Sequence, residues 1–502
     1  MRRARWILPV AVLLALAGTA VPATASHNPD EHSDNMRLRF TSPNERPFLA
    51  AGRGINSDMA FWGTRLYQGD YGGFRIFDIS NPFSPKLLSS FDCDGPQNDP
   101  VVWQNRILLL AVDQTMAGPE CGSARVPFTT PDAWEGVRIF DVSNPRRPRQ
   151  VGALYLDCGA HTITPYGQVG NELIVYASSY PLRPGPTCGE FAGIPPGVSG
   201  RDPLHGVIQV FAVPLNNPAG AYEVAEPPIT YPGDPDGRFV WSEHGIPFIP
   251  GVLEFAARAC HDIAVFRELN LAAGACNEQL QLWNIDPGTG IPDTADPVWV
   301  FDDEEDETGI TGDPADPGVV VDFWHSAAFS WDGEVVVGID ESFGAGCPPT
   351  TPVSHHPGDT GRMFFFDAAT GTKLSHFMID RAVETDYCSA HLGNVVHTRD
   401  GYFAANAWYL GGADIVDFTD PTDPQEVAFY DIAPAGATGG DNWSAYWYAP
   451  PRKGASLAIF TTDGVHNPAT GRGLAVFEVT GLGIQDIPLG QMNPQSQERL
   501  LR

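Results

Sequence analysis

One phrase recurs along this chain with its apolar and turn residues in register: FRIFDISNPFSPKLLSSF at Phe74–Phe91, VRIFDVSNPRRPRQVGAL at Val137–Leu154 and ADIVDFTDPTDPQEVAFY at Ala413–Tyr430. Weaker copies begin at Ile208, Leu280, Met363 and Leu474, giving seven in all. A unit this short cannot bury its apolar face alone, so the chain must fold by stacking copies against one another. Apolar residues alternate with a period near two, which excludes a helical reading. The 53 Gly and 46 Pro among 502 residues suit many short strands joined by tight turns.

Each copy reads as the third and fourth strands of a four-stranded meander. The first strand opens on a polar residue and runs apolar, as in HDIAVF from His261 and HSAAFS from His325. Asp332-Gly333 and Asp400-Gly401 mark hairpin turns. A β-branched or small apolar strand follows (RILLLAVD, ELIVYAS, EVVVGID), then the FRIFDIS strand and an outer strand such as KLLSSF. In the Ser-Asn-Pro and Thr-Asp-Pro corners a short side chain can bond its own backbone while proline sets φ. The predicted first strands start at Ser57, Asn98, His161, His261, His325, His391 and Trp443. Four-stranded units repeated radially make a β-propeller. The expected fold is therefore all-β, a seven-bladed propeller with four-stranded antiparallel blades over residues 36–484. The last copy stops after its third strand at Val479, whereas Met36–Thr41 (MRLRFT) is a spare strand before the first, so the N-terminal strand is predicted to complete the last blade and close the ring. Residues 26–35 and 485–502 read as tails, and Tyr180–His205 and Glu226–Arg258 as insertions.

The N-terminus carries Arg2, Arg3 and Arg5, an apolar run from Trp6 to about Ala17, and Ala23-Thr24-Ala25 before Ser26. This is the pattern of a signal peptide spanning residues 1–25, and its apolar run is too short for a membrane span. The mature protein is expected to be secreted or otherwise extracytoplasmic, monomeric and without an integral membrane segment. A net charge of −31 repels phosphate backbones and excludes a nucleic-acid partner. The expected partner is an extracellular ligand or protein.

Eight cysteines in an exported chain imply disulfides. Cys93, Cys158, Cys260 and Cys388 precede first strands, and Cys121, Cys188, Cys276 and Cys347 follow second strands. Antiparallel neighbours bring these positions to one face. The pairing predicted is Cys93–Cys121, Cys158–Cys188 and Cys260–Cys276 within blades and Cys347–Cys388 between blades. The competing reading is a thiolate metal site, but the chain contains no CxxC.

His161, His261, His325 and His391 open four consecutive first strands, so a propeller would bring them together at one mouth of its channel. Converging imidazoles suit copper or zinc, and Asp262 or Asp340 could orient them. The alternative is that they line a wet channel and bond to strand ends. The acidic run Asp302–Gly318 offers oxygen ligands for calcium or is a solvated loop. His355 and His356 sit in a Pro/Gly loop. Trp408, Tyr409, Trp443, Tyr446, Trp447 and Tyr448 could stack a ligand or fill the core. No GxSxG, HExxH or GxGxxG motif is present.

The segments GGFRIFDISNPFSP, EGVRIFDVSNPRRP and GGADIVDFTDPTDP resemble the LVIVD repeat of secreted β-propeller proteins. The resemblance is good in three copies and partial elsewhere across residues 50–480; it implies a propeller and an extracytoplasmic setting but no reaction. Copper-binding propellers, including methanethiol oxidases of the selenium-binding family, are similar only in fold and channel histidines. The expected function is that of a secreted binding or scaffold protein; the alternative is a copper- or zinc-dependent enzyme built on the histidine cluster.

Overall fold

The computed structural model describes residues 31–501 apart from 45–54, 180–205, 231–237, 241–254, 303–320, 342–360, 380–388, 432–441, 451–456, 464–472 and a few isolated positions. Among the described residues helix is confined to single 3-10 turns at Pro218–Gly220 and Arg267–Leu269. Everything else of regular structure is strand.

The strands form four-stranded antiparallel units. In the first, Asn56–Trp62, Arg65–Asp70, Gly73–Asp78 and Lys86–Asp92 pair in chain order. The same meander recurs from Gln97–Trp103 to Arg149–Tyr155, from Thr162–Val169 to Tyr222–Ala225, and from Asp262–Phe266 to Trp299–Asp302. It recurs again from Trp324–Phe329 to Lys373–Phe377 and from Ala390–Val395 to Gln425–Tyr430. The last unit takes Asn442–Trp447, Ala458–Asp463 and Leu474–Val479 from the C-terminal end of the chain. Its fourth strand is Met36–Ser42, antiparallel to Leu474–Val479 with Met36 opposite Val479 and Ser42 opposite Leu474. The opening strands touch one another in turn, and Asn442–Trp447 touches Asn56–Trp62. The sheets are therefore arranged radially, as in a β-propeller.

Both faces of each sheet are covered by neighbours, which explains why second strands are unbroken apolar runs. Ile107, Leu109 and Ala111 pack with Leu173, Val175 and Phe211 of the following unit. Leu108 and Leu110 point the other way, against Tyr67, Phe74 and Ile76 of the preceding one.

The repeated phrase is explained by two local devices. The glycine that opens it, Gly73, Gly136 or Gly412, has φ of +147°, +138° or +84°, and a Cβ there would lie 1.9, 2.2 or 2.3 Å from the carbonyl oxygen of Phe91, Leu154 or Tyr430. The strand that follows ends in two successive Asx turns. Asp78, Asp141 and Asp417 accept the N–H two residues on at 2.9, 3.0 and 2.9 Å. Asn81, Asn144 and Asp420 do the same at 3.3, 3.1 and 3.0 Å. Backbone amides that the corner removes from the sheet are thereby paired.

Of the segment 485–502, expected to be a tail, the described residues 485–501 lie along the opening strands far from their first residues. Ile487 N–H donates to the His397 carbonyl (2.7 Å), Leu489 N–H to Ala449 (3.1 Å) and Gly63 N–H to Gly490 (2.8 Å). Asn493 pairs with Val102 through both its amide oxygen and nitrogen (2.8 and 3.2 Å). Ser496 donates to the Pro165 carbonyl (2.8 Å), Val265 N–H donates to Gln495 (2.7 Å), and Gln497 pairs with Phe329 (3.1 and 3.0 Å). The segment thus contacts every unit, laced across the end of the molecule opposite the histidines.

Cys93–Cys121 and Cys260–Cys276 are disulfide-bonded, as is Cys158. Cys188, Cys347 and Cys388 lie outside the described residues, as do the segment 1–25, residues 303–318 of the acidic run, His355 and His356. Among the described residues no helix is long and apolar enough to cross a membrane.

Candidate functional site

The four histidines come together. Their opening strands run side by side in the same direction, so their first residues share a face. Ring centroids are 4.4 Å apart for His161 and His261, 3.8 Å for His261 and His325, and 4.1 Å for His325 and His391. His391 then meets Tyr409 at 4.5 Å and Trp443 at 4.9 Å. All four imidazoles are buried, His161 the most exposed at 5%.

Backbone and carboxylate groups hold this column. His161 Nδ1 lies 2.5 Å from Asp113 Oδ2, and His391 Nδ1 bonds the Trp443 carbonyl. Thr162 donates its hydroxyl proton to the carbonyl of His261 (2.6 Å). Glu341 reaches both His325 and His391, its oxygens 3.7 and 3.8 Å from their Nε2 atoms, and accepts the Tyr409 hydroxyl at 3.1 Å. Asp262 Oδ2 is 3.6 Å from His261 Nδ1. Two compact groups result, His325–Glu341–His391 and His261–Asp262–His325, each with its donor atoms within 4.8 Å of one another.

Burial sets the protonation of these groups. It pushes His261 and His325 well below the usual imidazole range, and the neighbouring histidines act in the same direction. Both are therefore neutral at pH 7, the form that ligates a metal. Burial also raises the Glu341 carboxyl to about 7, against the Tyr409 hydrogen bond, which lowers it. Next to the histidines stands a set of buried acids. Asp58 is pushed up to about 7 by burial, against hydrogen bonds from Tyr446, Met59, Gln495 and Ser444. Asp99 is raised well above the carboxylate range by burial, then by Asp58, Asp262 and Asp113, and Asp262 by burial, against a Thr162 hydrogen bond, and by Asp58 and Glu341.

Of the two carboxylates expected to orient the histidines, Asp262 lies 3.6 Å from His261 Nδ1, beyond hydrogen-bond reach. Asp340 is tied into the backbone, accepting Phe323 N–H at 3.0 Å and Gly361 N–H at 2.6 Å. The next residue, Glu341, is the carboxylate beside His325 and His391, because it follows the last residue of the strand Val335–Asp340 and reaches the mouth. Asp113 occupies the corresponding position after ILLLAV in the strand Ile107–Met116. A search for acids seven residues into each second strand, counted from Ile107 and Val335, would have found both. Of the aromatics, all six are buried in the core, and Tyr409 and Trp443 also meet His391.

A family model described as the LVIVD repeat matches residues 54–93, which span the whole first unit. The chain carries an LVIVD repeat. This LVIVD unit ends at Cys93, the residue that staples it to the next sheet through Cys121. No curated protein matches the chain. A protein of Lactobacillus plantarum is similar in structure over 89% of this chain and 97% of its own, at 10% identity and a TM-score of 0.47. Sqt1 of Chaetomium thermophilum, solved bound to the N-terminus of a ribosomal protein, is similar over 86% of this chain and 89% of its own, at 11% identity and a TM-score of 0.42.

Proposed function

We propose that this chain is a secreted, seven-bladed propeller that acts as a binding protein, and that its ligand is a divalent transition-metal ion held at the histidine mouth. The observation that carries this reading is the group His325–Glu341–His391, two imidazoles and a carboxylate with donors within 4.8 Å of one another. Two nitrogens and one oxygen suit zinc and leave a coordination position open to an outside ligand. Bonds of about 2.0–2.1 Å are shorter than these separations allow, so binding draws the three side chains inward. Seven blades follow from assigning one to each opening strand, with the N-terminal strand completing the last. Export is supported by the disulfides and by the N-terminal sequence pattern. No particular reaction is assigned.

Protein recovered from the medium or periplasm should carry zinc or copper through gel filtration, and Glu341→Gln or His391→Ala should weaken zinc binding at least tenfold. Wild-type protein that retains no more zinc or copper than His391→Ala would overturn the reading. The mass of the mature N-terminus tests cleavage after Ala25.

A further inference from the structure

We infer that the mouth holds two metal ions side by side with His325 between them, an inference that rests on the metal-binding reading above. The two donor groups share only His325. Its Nε2 faces Glu341 at 3.7 Å, and its buried Nδ1 has no hydrogen-bond partner among the described residues. One ring nitrogen thus faces Glu341 and the other is left available as a donor.

Charge points the same way. Asp262 is fully buried, and the only hydrogen bond that lowers its pKa comes from the Thr162 hydroxyl. The charged groups acting on it are Asp58 and Glu341, both acids. Asp58 and Asp99 are themselves only 3% and 5% exposed. Buried carboxylates without compensating charge are costly, so without a cation burial favours the protonated form of Asp262. A dication at His325–Glu341–His391 acts on Asp262 only through space, whereas a second at His261–Asp262–His325 is ligated by it directly. With both ions in place His325 ligates through both ring nitrogens, and its ring proton and the Asp262 carboxyl proton pass to solvent.

The test is a titration of metal-free protein with Zn²⁺ against a competing chromophoric chelator. Wild type should bind two equivalents. Asp262→Asn should keep only the ion at Glu341 and His391, and His391→Ala only the ion at Asp262, so each falls to one. A wild-type stoichiometry of one, unchanged by Asp262→Asn, overturns the second position and leaves the metal-binding reading standing; a stoichiometry of zero overturns both. Should Asp262→Asn fail to fold, electron paramagnetic resonance of wild type loaded with Cu²⁺ decides. Two adjacent copper ions couple magnetically, and an isolated-copper spectrum at every loading counts against the inference.

Discussion

Replacing Asn493 with alanine should destabilise the protein by about 3 kcal/mol, because one side chain there completes a rung of backbone pairing. Val102 lies in the opening strand Gln97–Trp103 and is fully buried. Its N–H donates to Asn493 Oδ1 at 2.8 Å and its carbonyl accepts from Nδ2 at 3.2 Å. Asn493 is itself only 1% exposed, so alanine leaves two backbone groups facing a space walled off from bulk solvent. Each buried group left unpaired costs about 1–3 kcal/mol, the lower figure applying where a water enters the gap. Urea unfolding measures the loss, and native-state hydrogen exchange locates it. A loss of about 3 kcal/mol corresponds to roughly hundredfold faster exchange of the Val102 amide if it exchanges by release of the terminal segment. Asn493→Asp keeps the acceptor for Val102 N–H but places an oxygen against the Val102 carbonyl, and should also destabilise. A change below about 0.5 kcal/mol in Asn493→Ala, with Val102 protection intact, would show that the terminal segment does not rest on the opening strands in solution.

Serine at both Cys93 and Cys121, 28 residues apart, should cost about 3.5 kcal/mol, and at Cys260 and Cys276, 16 apart, about 3 kcal/mol; unchanged urea midpoints for both double variants would refute the pairing. Glu135 gives a pH signature, since burial first, then Asp113 and Asp157, raise its carboxyl to about 8. The folded state keeps this proton where the unfolded state has lost it, so stability should fall by a few kcal/mol as pH rises from about 4.5 to about 8. Glu135→Gln should flatten that part of a melting-versus-pH curve, and an identical slope in the variant would sink the assignment. Deleting residues 36–42 should bare the edge of Leu474–Val479 and cause aggregation on size-exclusion chromatography; a monomer with unchanged melting would contradict it.

Much of this protein is decided within a few residues of chain. The Gly73, Gly136 and Gly412 positions, the paired Asx turns at Asp78 and Asn81, and the alternation of FRIFD depend on backbone sterics and short side-chain reach, so they are legible in the sequence as a repeat. Once the repeat is read, the first residues of the opening strands must share a face, and His161, His261, His325 and His391 follow. The spare strand Met36–Thr41 and the unit lacking a fourth strand are likewise visible as a surplus and a deficit. What chain order cannot express is convergence between distant segments. Glu341 rather than Asp340 reaches the imidazoles because of where the second strand ends relative to its neighbours. Asp58, Asp99 and Asp262 become a set of buried acids only when separate units meet at the axis. Asn493 pairs with Val102 across 391 positions of sequence. The tertiary structure alone decided these, since a hydrogen bond or a shared ligand position depends on distances in space that no local preference of the backbone encodes.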